Sequence, residues 1–174
     1  MMRRPMQALW IVAAVLLSAL ALSPSSNAQD PFRQIKLTEK MVSGFIAAQP
    51  DMLAIAEKLQ GSGTDAPDAK MQAELEAAAK KHGFKDFSEY DDAAANITMI
   101  MMAIDPQSGK FTDPVDAIKA DIEQLKGDTT ISDKERKQRI EEFEEELKLT
   151  ERIKFPENVE LIQKNQAKLA EVLQ

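Results

Sequence analysis

The residues with the widest chemical reach in this chain are a methionine cluster, a single histidine and a surplus of carboxylates. Met99, Met101 and Met102 lie almost side by side. Thioethers are soft ligands that suit Cu(I), and Met99 and Met102, three apart on a helix, share a face. Met101 points elsewhere. The neighbours Ile97, Ile100 and Ile104 favour a plainer reading, in which flexible methionines fill irregular gaps in a core. His82 is available as a metal ligand or an acid–base group. It also follows Lys80 and Lys81 and precedes Gly83, a place where a cation meets the negative end of a helix dipole. A metal site in this chain would draw on Met99, Met102 and His82, and no second histidine or cysteine stands near them to complete one.

Asp105 to Asp116 has the length of a calcium loop, with acids at its first, ninth and twelfth places. Lys110 occupies the sixth place, where such loops need glycine, and Asp116 stands where a bidentate glutamate is usual. Pro114 fits better as the start of a helix. Glu141, Glu142, Glu144, Glu145 and Glu146 form an acidic run that can recruit a basic partner; with Lys137, Arg139 and Lys148 close by, it reads more readily as a solvated helix face. Asn96-Ile97-Thr98 matches the N-glycosylation pattern but falls mid-helix, with Ile97 on the apolar stripe. Gly61-Ser62-Gly63-Thr64 has no lysine after it and is no phosphate loop. No serine has a histidine near it in sequence, so nucleophilic triad chemistry is unsupported. Pairs of carboxylates arise by chance on a helix surface this rich in glutamate.

These side chains must be held by helices. Ala, Glu, Lys, Leu, Met and Gln dominate, and strand-like alternation is scarce. The pattern predicts an all-α, single-domain bundle of about six short amphipathic helices. The first opens near Thr38, with Leu37, Met41, Val42, Phe45 and Ile46 as its stripe, and Pro50 is expected to end or kink it. A second segment carries Met52, Leu53, Ile55, Ala56 and Leu59, followed by a break at Gly61 to Thr64. The next is expected to use Asp65 as cap, with Pro67 in its first turn, and to end at His82-Gly83, with Phe84 folding back. Ser88, with Asp91 three residues on, is expected to open the most apolar helix, which belongs at the centre of the fold. Asp113-Pro114 starts a short helix closed by Gly127. Ser132 and Glu135 form a capping box for the next, with Ile140, Phe143 and Leu147 on one face. Asn158 or Glu157 begins the last, where Val159, Ile162, Gln166, Leu169 and Leu173 make a packing seam.

Residues 1–28 read as a cleavable signal peptide. Arg3 and Arg4 supply the positive start, Ala8 to Leu22 the apolar run, and Ser26 and Ala28 the small residues before a cut between Ala28 and Gln29. The apolar run is shorter than the roughly 20 residues a spanning helix needs. Residues 29–36 are expected to be a flexible lead-in to a helical domain at 37–174. Loss of Arg3 and Arg4 leaves 20 basic against 29 acidic residues, a net charge of −9. That charge repels phosphate backbones and anionic lipid surfaces. The chain has no cysteine, which rules out thiol catalysis, thiolate metal sites and disulfides, so the exported domain must rest on packing alone.

Leu37-Thr38-Glu39-Lys40-Met41-Val42-Ser43-Gly44-Phe45-Ile46-Ala47-Ala48-Gln49 and His82-Gly83-Phe84-Lys85-Asp86-Phe87-Ser88-Glu89-Tyr90-Asp91 resemble stretches of small exported helical proteins of Gram-negative bacteria. The resemblance implies a periplasmic location and no activity. The sequence thus leads to the expectation of an exported, non-enzymatic binding or interaction protein without a cofactor. Its grooves would take another periplasmic protein or an apolar ligand, with metal handling as the alternative. The oligomeric state stays open.

Overall fold

A computed structural model describes residues 33–62 and 68–173. The signal peptide with its cut at Ala28/Gln29, the start of the lead-in, and Gly63 to Pro67 lie outside the described residues. Six helices follow in order: α1 (Glu39–Ser62), α2 (Ala69–Lys81), α3 (Phe87–Met102), α4 (Pro114–Gly127), α5 (Asp133–Leu149) and α6 (Pro156–Val172). Among the described residues there is no strand, only one antiparallel bridge between Ile104 and Phe111. No described helix is long and apolar enough to cross a membrane.

Pro50 does not end the first helix. α1 runs through it for 24 residues. Pro50 is exposed, so water can satisfy the carbonyl it leaves without a donor. Continuing the helix keeps Met52, Ile55 and Leu59 in line with Val42, Phe45 and Ala48, and all six are buried. Three large side chains buried beyond the proline contribute about 1.5–3 kcal/mol each, against roughly 3 kcal/mol for a proline inside a helix.

Two caps also differ from expectation. α2 is capped by Asp68, whose side chain accepts from the Met71 N–H, rather than by Asp65. α3 is capped by Asp86, accepting from the Glu89 N–H, rather than by Ser88. Glu89 returns the contact by accepting from the Lys85 N–H at 2.7 Å. Both segments offer more than one capping residue, and the choice sets where each helix starts. The remaining ends follow their local chemistry. Gly83 takes φ +90°, the Phe84 N–H reaches the Ala79 carbonyl and the Gly83 N–H reaches the Lys80 carbonyl, which together close α2. Asp113 caps α4, with Pro114 in its first turn. Ser132 caps α5 through the Glu135 N–H, while Glu135 turns to Arg139 instead of back to the cap.

α1, α2, α3 and α6 form the body. α3 packs on α1, α2 and α6, and α1 packs on α2, α3 and α6. Its core joins Val42, Phe45 and Ala48 of α1, Leu75 and Ala79 of α2, Ala93, Ile97 and Ile100 of α3, and Ile162 and Leu169 of α6. Tyr90 sits among Phe45, Phe84 and Phe87, stacked on the first and third and edge-on to the second. α4 and α5 pack on each other as a hairpin. Val115, Ile118 and Ile122 are buried there, yet no residue from 114 to 149 belongs to the body core.

The described part of the lead-in, residues 33–36, is tied to the body by hydrogen bonds. Residues 33–37 run extended and are held by two buried asparagines. Asn96 of α3 accepts from the Ile35 N–H at 3.1 Å and donates to the Arg33 and Asp92 carbonyls at 2.8 Å. Asn158 of α6 accepts from the Leu37 N–H at 2.8 Å and donates to the Ile35 carbonyl at 2.7 Å. Ion pairs Arg33–Asp92 and Lys36–Glu157 flank the strap. Asn158 and Glu157, the two residues expected to open the last helix, lie just inside it; α6 starts at Pro156 after Phe155, which makes no side-chain cap.

Candidate functional site

Each residue singled out for chemistry has a definite place. Met99 and Met101 pack against the body core, and Met102, the last residue of α3, is 70% exposed. Met99 and Met101 are thus partly buried apolar neighbours of that core. His82 caps α2, and its Nε2 lies 2.7 Å from Asp51 Oδ2. The same oxygen takes Lys81 Nζ at 2.7 Å. Lys81, with His82 second, holds the Asp51 carboxyl below its ordinary range. An Asp–His pair can orient a general base, but catalysis also needs a nucleophile or a substrate proton within reach. The contact made by this ring is to the carboxylate, and the pair ties the α2 end to α1.

The stretch from Asp105 to Asp116 is not arranged around a central point. Asp105 Oδ1 accepts from the Gln107 and Ser108 N–H groups and from the Ser108 hydroxyl, forming a side-chain-closed turn with Gly109 at φ +68°. Ser108 holds the Asp105 carboxyl below its usual range. Asp113 is occupied with the Val115 and Ile153 N–H groups. Asp116 receives Arg152 through both guanidinium nitrogens, at 2.6 and 3.0 Å, and that bidentate pair holds its carboxyl low. The acids at the first, ninth and twelfth places thus serve a turn, a cap and an ion pair. Among the described residues, no group of three or more His, Asp or Glu side chains is gathered to hold a metal ion. Asn96 is 1% exposed with its amide nitrogen donating twice, so a glycan cannot attach to it in the folded chain.

The acidic run lies on α5, which has no buried residue at all. Ile140, Phe143 and Leu147 are half-buried, and α4 is the helix against which α5 packs. Glu141, Glu142, Glu144, Glu145 and Glu146 are exposed. Lys137 and Lys148 pair with Glu141 and Glu145 at the two ends of the run, and Gln138 donates to Glu142. At the hairpin base, Arg152 binds Asp113 and Asp116, which stitches the foot of α5 to the foot of α4. Gln34 of the strap then joins this base to the body, donating to the Arg152 carbonyl and accepting from the Lys154 N–H. Leu149, at the end of α5, is 85% exposed.

The two stretches quoted for their resemblance meet in space. Thr38, Lys40 and Met41 from the first and Gly83, Phe84, Lys85 and Glu89 from the second line an open groove of about 410 Å³. Behind it Gly44 lets the backbones touch: a Cβ there would stand 2.6 Å from the His82 carbonyl oxygen.

Sequence reasoning did not identify Asn96, Asn158, Gln34 and Arg152 as the residues that hold strap, body and hairpin together. The one available signal was an asparagine within each of two apolar helical stripes, since a polar residue there must find partners once buried. Comparison with protein families, curated proteins and solved structures finds no match.

Proposed function

We propose that this chain is a non-enzymatic interaction protein of the periplasm, in which a four-helix body carries the α4–α5 hairpin as an arm that meets a protein partner. The observation that carries this reading is the independence of the hairpin. The core is complete without any residue from 114 to 149. A segment of that length, ordered at the usual entropic cost without filling the core, has its use on the surface. α5 adds the chemistry: a row of exposed glutamates beside an apolar stripe that α4 only half covers. Such a face suits a basic, amphipathic protein surface, because opposite charge speeds encounter and the apolar stripe supplies contact area. Export is supported by the zoned sequence of residues 1–28, a positive start, an apolar run and small residues before the cut.

The test is site-specific photo-crosslinking in the host's periplasm, with the crosslinker at Glu142 on the arm and, as control, at Glu57 on the body. A discrete adduct from Glu142 that disappears on reversing Glu144, Glu145 and Glu146 to lysine is the expected result. Equal adducts from both positions, or an adduct indifferent to those reversals, would refute the arm as the contact surface.

A further inference from the structure

We propose that Met102 is a reversible oxidation site of the folded protein. The chain has no cysteine, so its sulfur chemistry belongs to methionine. Five of the described methionines are sheltered: Met52 lies in the core, and Met41, Met71, Met99 and Met101 pack against it. Met102 stands apart at 70% exposure. A thioether has no proton to lose in this pH range, so its reactivity in a folded chain follows access to the sulfur.

The oxidant is hydrogen peroxide. A sulfur lone pair attacks one peroxide oxygen and the O–O bond breaks. The sulfur is oxidised by two electrons, the other oxygen leaves as hydroxide, and the proton lost from the sulfur-bound hydroxyl converts that hydroxide to water as the sulfoxide forms. In solvent the new S=O dipole displaces no packing. The same change at Met52 would put a polar oxygen into an apolar core. The location gives the change an address. Met102 is followed by Ala103, whose carbonyl accepts from the Thr112 N–H where the chain turns toward the hairpin. A sulfoxide there converts an apolar knob at the root of the arm into a hydrogen-bond acceptor. Thiol-dependent sulfoxide reductases, one for each sulfur epimer, return the thioether as two thiols become a disulfide and the oxygen leaves as water.

The test is a peroxide time course on the native protein, read by peptide mapping. Met102 is expected to oxidise on the order of ten-fold faster than Met52 and ahead of Met99 and Met101, as access-controlled reactivity requires. The singly oxidised protein should keep its unfolding temperature, and both reductases added without denaturant should restore the original mass. Met102→Leu should lose the fast phase and leave the slower ones unchanged. Uniform rates across the methionines, Met99 or Met101 reacting first, a lowered unfolding temperature after the first oxygen, or failure of the reductases would each overturn the proposal.

Discussion

Removing the Asn158 amide should release the strap, and its cost follows from two contacts. Asn158 is 2% exposed, and Leu37 beside it is buried. In Asn158→Ala the Leu37 N–H loses a 2.8 Å acceptor and the Ile35 carbonyl a 2.7 Å donor. Each lost bond that leaves a buried partner unpaired costs about 1–3 kcal/mol, so about 2–6 kcal/mol is expected in total. For a domain of this size that lowers the unfolding temperature by about 6–18 °C. Asn158→Asp separates the two halves of the clamp. Its oxygen still accepts from Leu37, but an ionised carboxylate faces the Ile35 carbonyl with no proton to give. Burial and that repulsion raise the folded-state pKa of the new acid above its unfolded value. Stability is then retained below the unfolded pKa, where the protonated acid can donate to Ile35, and is lost as pH rises through the folded pKa. Urea unfolding of both variants at acidic and neutral pH is the assay. A cost below about 0.5 kcal/mol for Asn158→Ala, the level of an ordinary surface change, or a pH-independent penalty for Asn158→Asp, would refute the clamp as an energetic feature.

Tyr90 gives a second handle, because it is the only tyrosine in the chain. Burial pushes its phenol up to about 12, against a weaker opposing hydrogen bond from Gln49. Stability should therefore fall as pH rises from 10 through 12, by about 2–3 kcal/mol in all; tyrosinate absorbance read beside circular dichroism checks it, and a midpoint near 10 with helices intact would contradict the buried placement. Gly44→Ala should destabilise by about 1–3 kcal/mol, the usual cost of overpacking, because the new methyl meets the His82 backbone oxygen at 2.6 Å and the Phe84 ring at 3.1 Å; urea unfolding measures it. Hydrogen exchange should show α4 and α5 amides opening at least about ten-fold more often than those of α3, as expected of a cooperative unit outside the main core; equal protection would mean that hairpin and body unfold together.

Much of the architecture is written locally. The methionine- and isoleucine-rich α3, the Schellman-type close at Gly83, the caps at Asp113 and Ser132 and the seam of α6 all rest on contacts within a few residues. Periodicity and capping chemistry report such contacts directly. Local chemistry does not by itself choose between capping residues two or three apart, such as Asp86 and Ser88. At Pro50, packing on both sides outweighed the local rule. The candidate site was legible only in part. The exposed glutamates are visible as a run in α5, but their place on an arm outside the core is not, because α5 would show the same pattern lying flat on the body.

The sequence by itself thus determined the all-helical class, the lack of thiol chemistry and the acidic surface. Each is a property of composition or of neighbours along the chain. The tertiary structure alone decided that an extended strap threads between α3 and α6 and that α4 and α5 stand apart from the body. The physical reason is distance along the chain. Ile35 meets Asn96 61 residues away, and Leu37 meets Asn158 121 residues away. An asparagine amide gives no sign in sequence of which backbone it will find once folding has buried it.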